Sequence, residues 1–172
     1  FYILSNADNA QNFKLSKTSE KNTEKNFWQD IIPHRNDVLL EDIDIFKNYL
    51  VISERKNGLN QIKIKPWDGT ESYYLPFESK TYTAYTTTNL DFETDTLRYS
   101  YQSMTTPSSI IDFNMLTKEK TLKKEQEVLG GKFKKENYVS ERLWAPARDG
   151  TKIPISLVRH KDTPKSTETP LL

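Results

Sequence analysis

Between residues 44 and 77 the chain reads DIFKNYLVISERKNGLNQIKIKPWDGTESYYLPF, a series of short apolar runs set between polar turns. Leu50-Val51-Ile52, Ile62-Lys63-Ile64 and Tyr73-Tyr74-Leu75 are rich in β-branched and aromatic residues and too short for helices. With a leading run at Ile43 to Phe46, they predict a four-stranded antiparallel meander. Two dipeptides punctuate it, Asn57-Gly58 and Asp68-Gly69. Both tolerate positive φ at two successive positions, so each is expected to form a two-residue type I′ turn.

The pattern recurs at about 49 residues. Tyr2, Val51 and Tyr99 fall in equivalent strands at intervals of 49 and 48, Phe13, Ile62 and Ile111 at 49 and 49, and Ser72 and Thr121 are again 49 apart. Such a period, with four strands to the unit, suits propeller blades, whose small sheets bury their faces by stacking on their neighbours. The first unit is predicted to hold strands at Phe1 to Ser5, Phe13 to Lys17 and Trp28 to Pro33, and to lack its own first strand. The third is predicted to hold Tyr82 to Tyr85, Leu97 to Tyr101 (the counterpart of Leu50 to Ile52), Ile110 to Met115 and Lys120 to Lys124, with "MTTPSS" and "TKE" as turns. Lys118 to Glu127 has helix-forming composition, but only Leu122 and Leu129 would form an apolar stripe, so a strand is preferred. After Gly130-Gly131 the frame breaks, and a hairpin turning at Asp149-Gly150 begins near Ser140.

Composition narrows the class. Hydrophobic residues make up 35% of the chain, yet nine Tyr, eight Phe and three Trp supply enough buried area for a folded core. Mean hydropathy is −0.77. The formal net charge of +1 gives no electrostatic reason to expect nucleic acid or an anionic membrane as partner. No apolar run approaches the roughly 18 residues of a membrane span. With no cysteine, disulfides, thiolate metal sites and a Cys nucleophile are excluded. A soluble protein of cytoplasm or periplasm is expected, the compartment itself being unspecified. The chain begins at Phe1 inside a predicted strand and finishes on Pro170-Leu171-Leu172, so a segment of a longer protein is expected.

From "LRYSYQSMTTPSSIIDFNMLTKEKTLKKEQEVLGG" through "ENYVSERLWAPARDGTKIPISLVRHK", the sequence resembles the oligopeptidase B (protease II) group of the prolyl oligopeptidase family of serine peptidases. "YLVISERKNGLNQIKI" and "WQDIIPHRNDVLLED" resemble the preceding blades, and the likeness extends over essentially all 172 residues. The resemblance implies an all-β fold. It would be a partial β-propeller of about two and a half four-stranded antiparallel blades, plus a β-hairpin from the start of an α/β-hydrolase domain. The expected boundaries are 1–129 for the blades, 130–137 for a linker and 138–172 for the first strands of the peptidase domain. The implied parent enzyme cleaves short peptides after Arg or Lys, with a propeller that limits access to its triad. The implied partners are those peptides, the remaining blades and the hydrolase domain. Exposed strand edges in an isolated segment also predict self-association.

No catalytic residue can be assigned to this chain. A serine nucleophile elbow needs glycines around the Ser, typically G-x-S-x-G, and the five glycines (Gly58, Gly69, Gly130, Gly131, Gly150) frame none. The triad would lie beyond residue 172, leaving the chain inactive alone. Two isolated histidines, His34 at a strand end and His160 in the charged "VRHKD" loop, do not make a metal site or a triad. No cofactor or metal is expected, and no substrate-binding residue is assigned. Glu54 and Arg55, beside the Asn57-Gly58 turn, are candidates for contact with a partner domain or peptide; as solvated cross-strand charges they would contribute little. Asp149-Gly150 reads as turn chemistry. The lysines Lys118, Lys120, Lys123, Lys124, Lys132, Lys134 and Lys135 alternate with Glu119, Glu125, Glu127 and Glu136, as on a solvated edge strand. The rival reading is a non-catalytic propeller scaffold.

Overall fold

A computed structural model describes residues 1–131 and 133–170. Every sheet is antiparallel, and the described residues form two compact units. The first comprises Phe1–Leu75 with Asn89–Asp95; the second comprises Pro76–Thr88 and Thr96–Leu172.

The first unit contains two sheets. One is three-stranded, with β1 (Tyr2–Ser5), β2 (Lys14–Lys17) and β3 (Gln29–Ile32) in that order. The other orders β4 (Val38–Ile45), β5 (Tyr49–Lys56), β6 (Leu59–Pro66) and β7 (Tyr73–Tyr74) as a meander. Strand alternation sends Leu50 and Ile52 of β5 to one face, where they form a buried cluster with Leu40 of β4 and Leu15 of the three-stranded sheet. Leu4, Ile31, Ile32 and Ile43 close around it. This cluster joins the two sheets, and truncating Leu50 to Ala would cost about 2–5 kcal/mol.

In the second unit, β8 (Tyr82–Thr86), β9 (Thr96–Ser103), β10 (Thr106–Asn114) and β11 (Lys120–Glu125) repeat the four-stranded meander. Leu97, Tyr99 and Phe113 are its most deeply buried large side chains. Phe77 stacks on Tyr101 at 5.6 Å and lies 4.4 Å from Tyr82, making an aromatic cluster at the start of the unit. Strand β11 is a strand, as expected, and all six of its residues are exposed. A separate two-stranded sheet pairs β12 (Tyr138–Pro146) with β13 (Lys152–His160). The hydroxyls of Ser79 and Ser140 meet at 3.3 Å within this unit.

Tyr2, Val51 and Tyr99 occupy β1, β5 and β9 as the repeat predicts. The periodicity fails at single residues: Phe13 lies outside β2, at φ 61°, and Ile62 is fully buried whereas Ile111 is not. Asn57 and Gly58 take φ 52° and 74° and join Lys56 to Leu59, as a two-residue type I′ turn requires. Asp68-Gly69 does not form such a turn. Only Gly69 has positive φ (88°), the connection spans residues 67–72, and the Asp68 carboxylate accepts the Thr70 N–H at 2.9 Å, an Asx turn. Most of "MTTPSS" is strand, because β9 ends at Ser103 and β10 already starts at Thr106, absorbing Pro107 in a bulge before Ser109. His160 ends β13 rather than lying in a loop.

Candidate functional site

One carboxylate is buried almost completely. Glu54 follows Leu50 and Ile52 on the inward face of β5, and 1% of it reaches solvent. An unpaired charge there would be strongly unfavourable, and the chain supplies two partners. The Arg35 guanidinium, from the β3–β4 connection, pairs with Glu54 Oε1. The Tyr74 hydroxyl donates to Oε2 at 2.9 Å. Asn12 fixes the arginine from behind, its Nδ2 donating to the carbonyls of Arg35 and Asn36 at 2.9 Å each. Lys63 lies 5.4 Å from the centre of the Tyr74 ring.

The electrostatics follow from this packing. Burial pulls the Arg35 pKa down, but the hydrogen bond and charge of Glu54 outweigh it, and the net movement is upward. Burial raises the Tyr74 phenol, and its bond to Glu54 raises it further. Tyr73, next to it in β7, is pushed up to about 12, chiefly by burial. Arg35 therefore keeps its charge, and Tyr73 and Tyr74 their phenolic protons, across the physiological range. The cluster ties the β3–β4 connection to β5 and to β7, the two-residue outer strand of the same sheet. Glu54 is not the solvated charge expected from its place beside a turn. Arg55, on the opposite face, bonds through Nε to Glu41 Oε1 at 2.7 Å, while Asn60 holds Oε2 at 3.0 Å.

In the second unit, Arg98 grips Asp112 through two bonds, Nε to Oδ1 at 2.7 Å and Nη2 to Oδ2 at 2.9 Å. The hydrogen bonds from Arg98 hold the Asp112 carboxyl below its ordinary value. Lys120 donates to the Pro76 carbonyl at 2.5 Å and lies 5.8 Å from the Phe77 ring centre. Although the residue as a whole is exposed, its ammonium is partly desolvated against Pro76 and Phe77, which lowers its pKa.

The histidines stay apart from this chemistry. His34 keeps a buried Nε2 without a hydrogen-bond partner. His160 faces Asp162 across 3.5 Å and meets Tyr138 edge-on at 5.6 Å. Among the described residues no Ser or Thr hydroxyl bonds to either imidazole, and no group of three or more His, Asp or Glu is gathered to hold a metal ion. No described helix is long and apolar enough to cross a membrane. Asp149 accepts the Thr151 N–H at 2.9 Å, as a turn residue does. Lys132 lies outside the described residues.

The family model for the N-terminal β-propeller domain of prolyl oligopeptidase matches residues 1–126. A dipeptidyl aminopeptidase BI from Pseudoxanthomonas mexicana is 40% identical over 171 residues, covering 99% of this chain and 23% of its own. The solved oligopeptidase B from Leishmania major superposes with a TM-score of 0.82 at 33% identity, over 94% of this chain and 23% of that one. Oligopeptidase B from Trypanosoma brucei gives 0.83 at 30% identity, over 95% and 24%. The chain spans less than a quarter of the length of these relatives.

Proposed function

The chain belongs to the prolyl oligopeptidase family, within its N-terminal β-propeller domain, and from that premise we propose that it forms part of the access-limiting propeller of a serine oligopeptidase that cleaves short peptides after Arg or Lys. The observation that carries the reading is the match over residues 1–126 to a propeller domain, by a segment that contains two four-stranded meanders in tandem. Residues 1–129 are blades, 130–137 a linker, and 138–172 the opening strands of the peptidase domain. The separate β12–β13 sheet, outside the matched propeller residues, supports that last boundary.

Preference for basic residues draws on the similarity to two oligopeptidases B. Relatives named prolyl endopeptidase and dipeptidyl aminopeptidase match the chain in sequence but do not carry that name, so peptide hydrolysis is the firmer part of the reading. The catalytic serine, acid and histidine lie in other parts of the protein, and this chain alone hydrolyses nothing. A role in access needs no reactive side chain here. It needs rigid sheets, and the Glu54–Arg35–Tyr74 cluster stiffens one of them.

The test is cleavage by the longer protein that carries this segment. A short peptide with one internal Arg or Lys should be cut after that residue, and a serine-directed covalent inhibitor should abolish the cut. The same sequence inside a folded protein should survive. Absence of inhibitor-sensitive cleavage would overturn the proposal in favour of a non-catalytic scaffold. Cleavage after other residues would overturn only the preference.

A further inference from the structure

Three exposed dipeptides join an Asn or Asp to a glycine: Asn57-Gly58, Asp68-Gly69 and Asp149-Gly150. Such a pair can close on itself. The glycine nitrogen, unhindered by a side chain, attacks the neighbouring side-chain carbonyl carbon and forms a five-membered succinimide. The structure separates the three. The Asp68 and Asp149 carboxylates accept the N–H groups of Thr70 and Thr151, each at 2.9 Å. Those hydrogen bonds hold both carboxyls below their ordinary value, so they are anions at neutral pH, and an anion is a poor target for a nucleophile. Asn57 instead carries a neutral amide whose leaving group is ammonia, and it is the only asparagine of the chain followed by glycine.

The fold decides when this reaction can occur. Asn57 has φ 52° in the two-residue turn that Lys56 and Leu59 close, and a type I′ turn sets ψ at its first central residue to about +30°. Tetrahedral geometry at Cα then turns the Gly58 nitrogen almost opposite to Cβ, so it cannot reach Cγ until the turn opens. The stem below the turn is braced. Arg55 and Asn60 are cross-strand partners, and both bond to Glu41 of β4, at 2.7 and 3.0 Å. Lys56 pairs with Asp37 at 2.8 Å. We propose that Asn57 is a deamidation site of this protein, gated by local opening of the β5–β6 turn, and that the Glu41 brace sets its rate. In the open turn the Gly58 nitrogen bonds to Asn57 Cγ, and the bond from Cγ to the side-chain nitrogen breaks. The Gly58 proton passes by way of water to that nitrogen, which leaves as ammonia. Water then opens the ring at either carbonyl, giving aspartate or isoaspartate. The isoaspartyl form routes the main chain through Cβ and Cγ, adding one atom to the turn between Lys56 and Leu59, so the original geometry is not regained.

The test is a time course of the folded chain at mildly alkaline pH, with isoaspartate located by enzymatic methylation of its carboxylate and peptide mass spectrometry. The free peptide of residues 54–61, which has no folded turn, is the comparison. Isoaspartate should form at position 57 before 68 or 149, and several-fold more slowly than in the peptide. Glu41→Ala, shown by circular dichroism to be folded, should raise the rate several-fold. Asp37→Ala should also raise it, and serves where Glu41→Ala does not fold. Leu15→Val, a mild loss in the core cluster of the same unit, should leave the rate unchanged. A folded chain that reacts as fast as the peptide, isoaspartate appearing first at 68 or 149, or a rate unmoved in the folded brace variants would each overturn the proposal. A rise in Leu15→Val equal to that in Glu41→Ala would assign the reaction to global unfolding and overturn the gate. None of these outcomes depends on the peptidase reading.

Discussion

Removing Arg35 should destabilise the first unit more than a surface arginine would. In the Arg35→Ala variant the Glu54 carboxylate, 1% exposed, keeps only the Tyr74 hydroxyl. Loss of one partner of a buried pair costs about 3–5 kcal/mol. The Arg35 side chain is itself 29% exposed, so water can enter the vacated space, and the low end of about 3 kcal/mol is expected. Tyr74→Phe removes one hydrogen bond to a charged acceptor and should cost about 1.5 kcal/mol. Arg35→Met combined with Glu54→Leu removes both charges at similar volume and should recover most of the loss, because an apolar replacement avoids desolvating the pair. Urea titration can follow this in a Trp144→Phe background, where Trp28 and Trp67, both in the first unit, are the remaining tryptophans. With a slope of about 2 kcal/mol per molar urea, Arg35→Ala should lower the midpoint by about 1.5 M. A loss below about 1 kcal/mol, or a double variant no better than Arg35→Ala, would refute the account of Glu54 as a buried charge dependent on its partner.

The Asn57-Gly58 turn needs φ of 74° at the glycine, so Gly58→Val should cost about 1–2 kcal/mol in the same titration, and an unchanged midpoint would contradict the turn type. Asp112, whose carboxyl is held below 3.8 by Arg98, contributes stability that is present above that value and lost as pH falls through the lower folded value. Asp112→Asn should therefore lower the thermal midpoint most at about pH 7 and progressively less as pH falls below 3.8; a loss that does not shrink with falling pH would remove the ion pair as its cause. Phe1 and Thr18 exchange both backbone hydrogen bonds, so by alternation the N–H groups of Tyr2 and Leu4 point out from the free edge of β1. If this edge drives self-association, Tyr2→Pro should lower the sedimentation coefficient at high concentration without disturbing the β1–β2 ladder, and a wild-type chain that sediments as a monomer would dismiss it.

The sheets were legible in the sequence because short β-branched and aromatic runs alternate with polar turns, and because the unit recurs. The position of β11 was also legible, since Lys120 to Lys124 offers no helical stripe. Residue-level equivalence was not: a Phe13 at φ 61° cannot be foreseen by sliding one strand over another. The Glu54 cluster was missed for a specific reason. Its charge and its nearness to a turn suggested solvent, yet the period of two that buries Leu50 and Ile52 places Glu54 on the same face. That signal was in the sequence. Its partners were not, because Arg35 lies 19 residues before it and Tyr74 lies 20 after it, and only the folded sheets bring them together. Asp68-Gly69 misled because the dipeptide that favours a tight hairpin equally favours an Asx turn in a longer connection.

The β6–β7 connection has a practical consequence. It is tethered at its start, where the Trp67 N–H donates to the Asn48 carbonyl and the indole N–H to the Phe46 carbonyl, both at 3.0 Å. Beyond that anchor, the space around Gly69 is empty to 4 Å where a side chain would begin. A guest sequence spliced in after Gly69 would thus hang outside the packed sheets, with its upstream end already fastened. Loops of this kind accept foreign domains and new termini. A fluorescent reporter or an affinity handle could be carried there without loosening the core behind it.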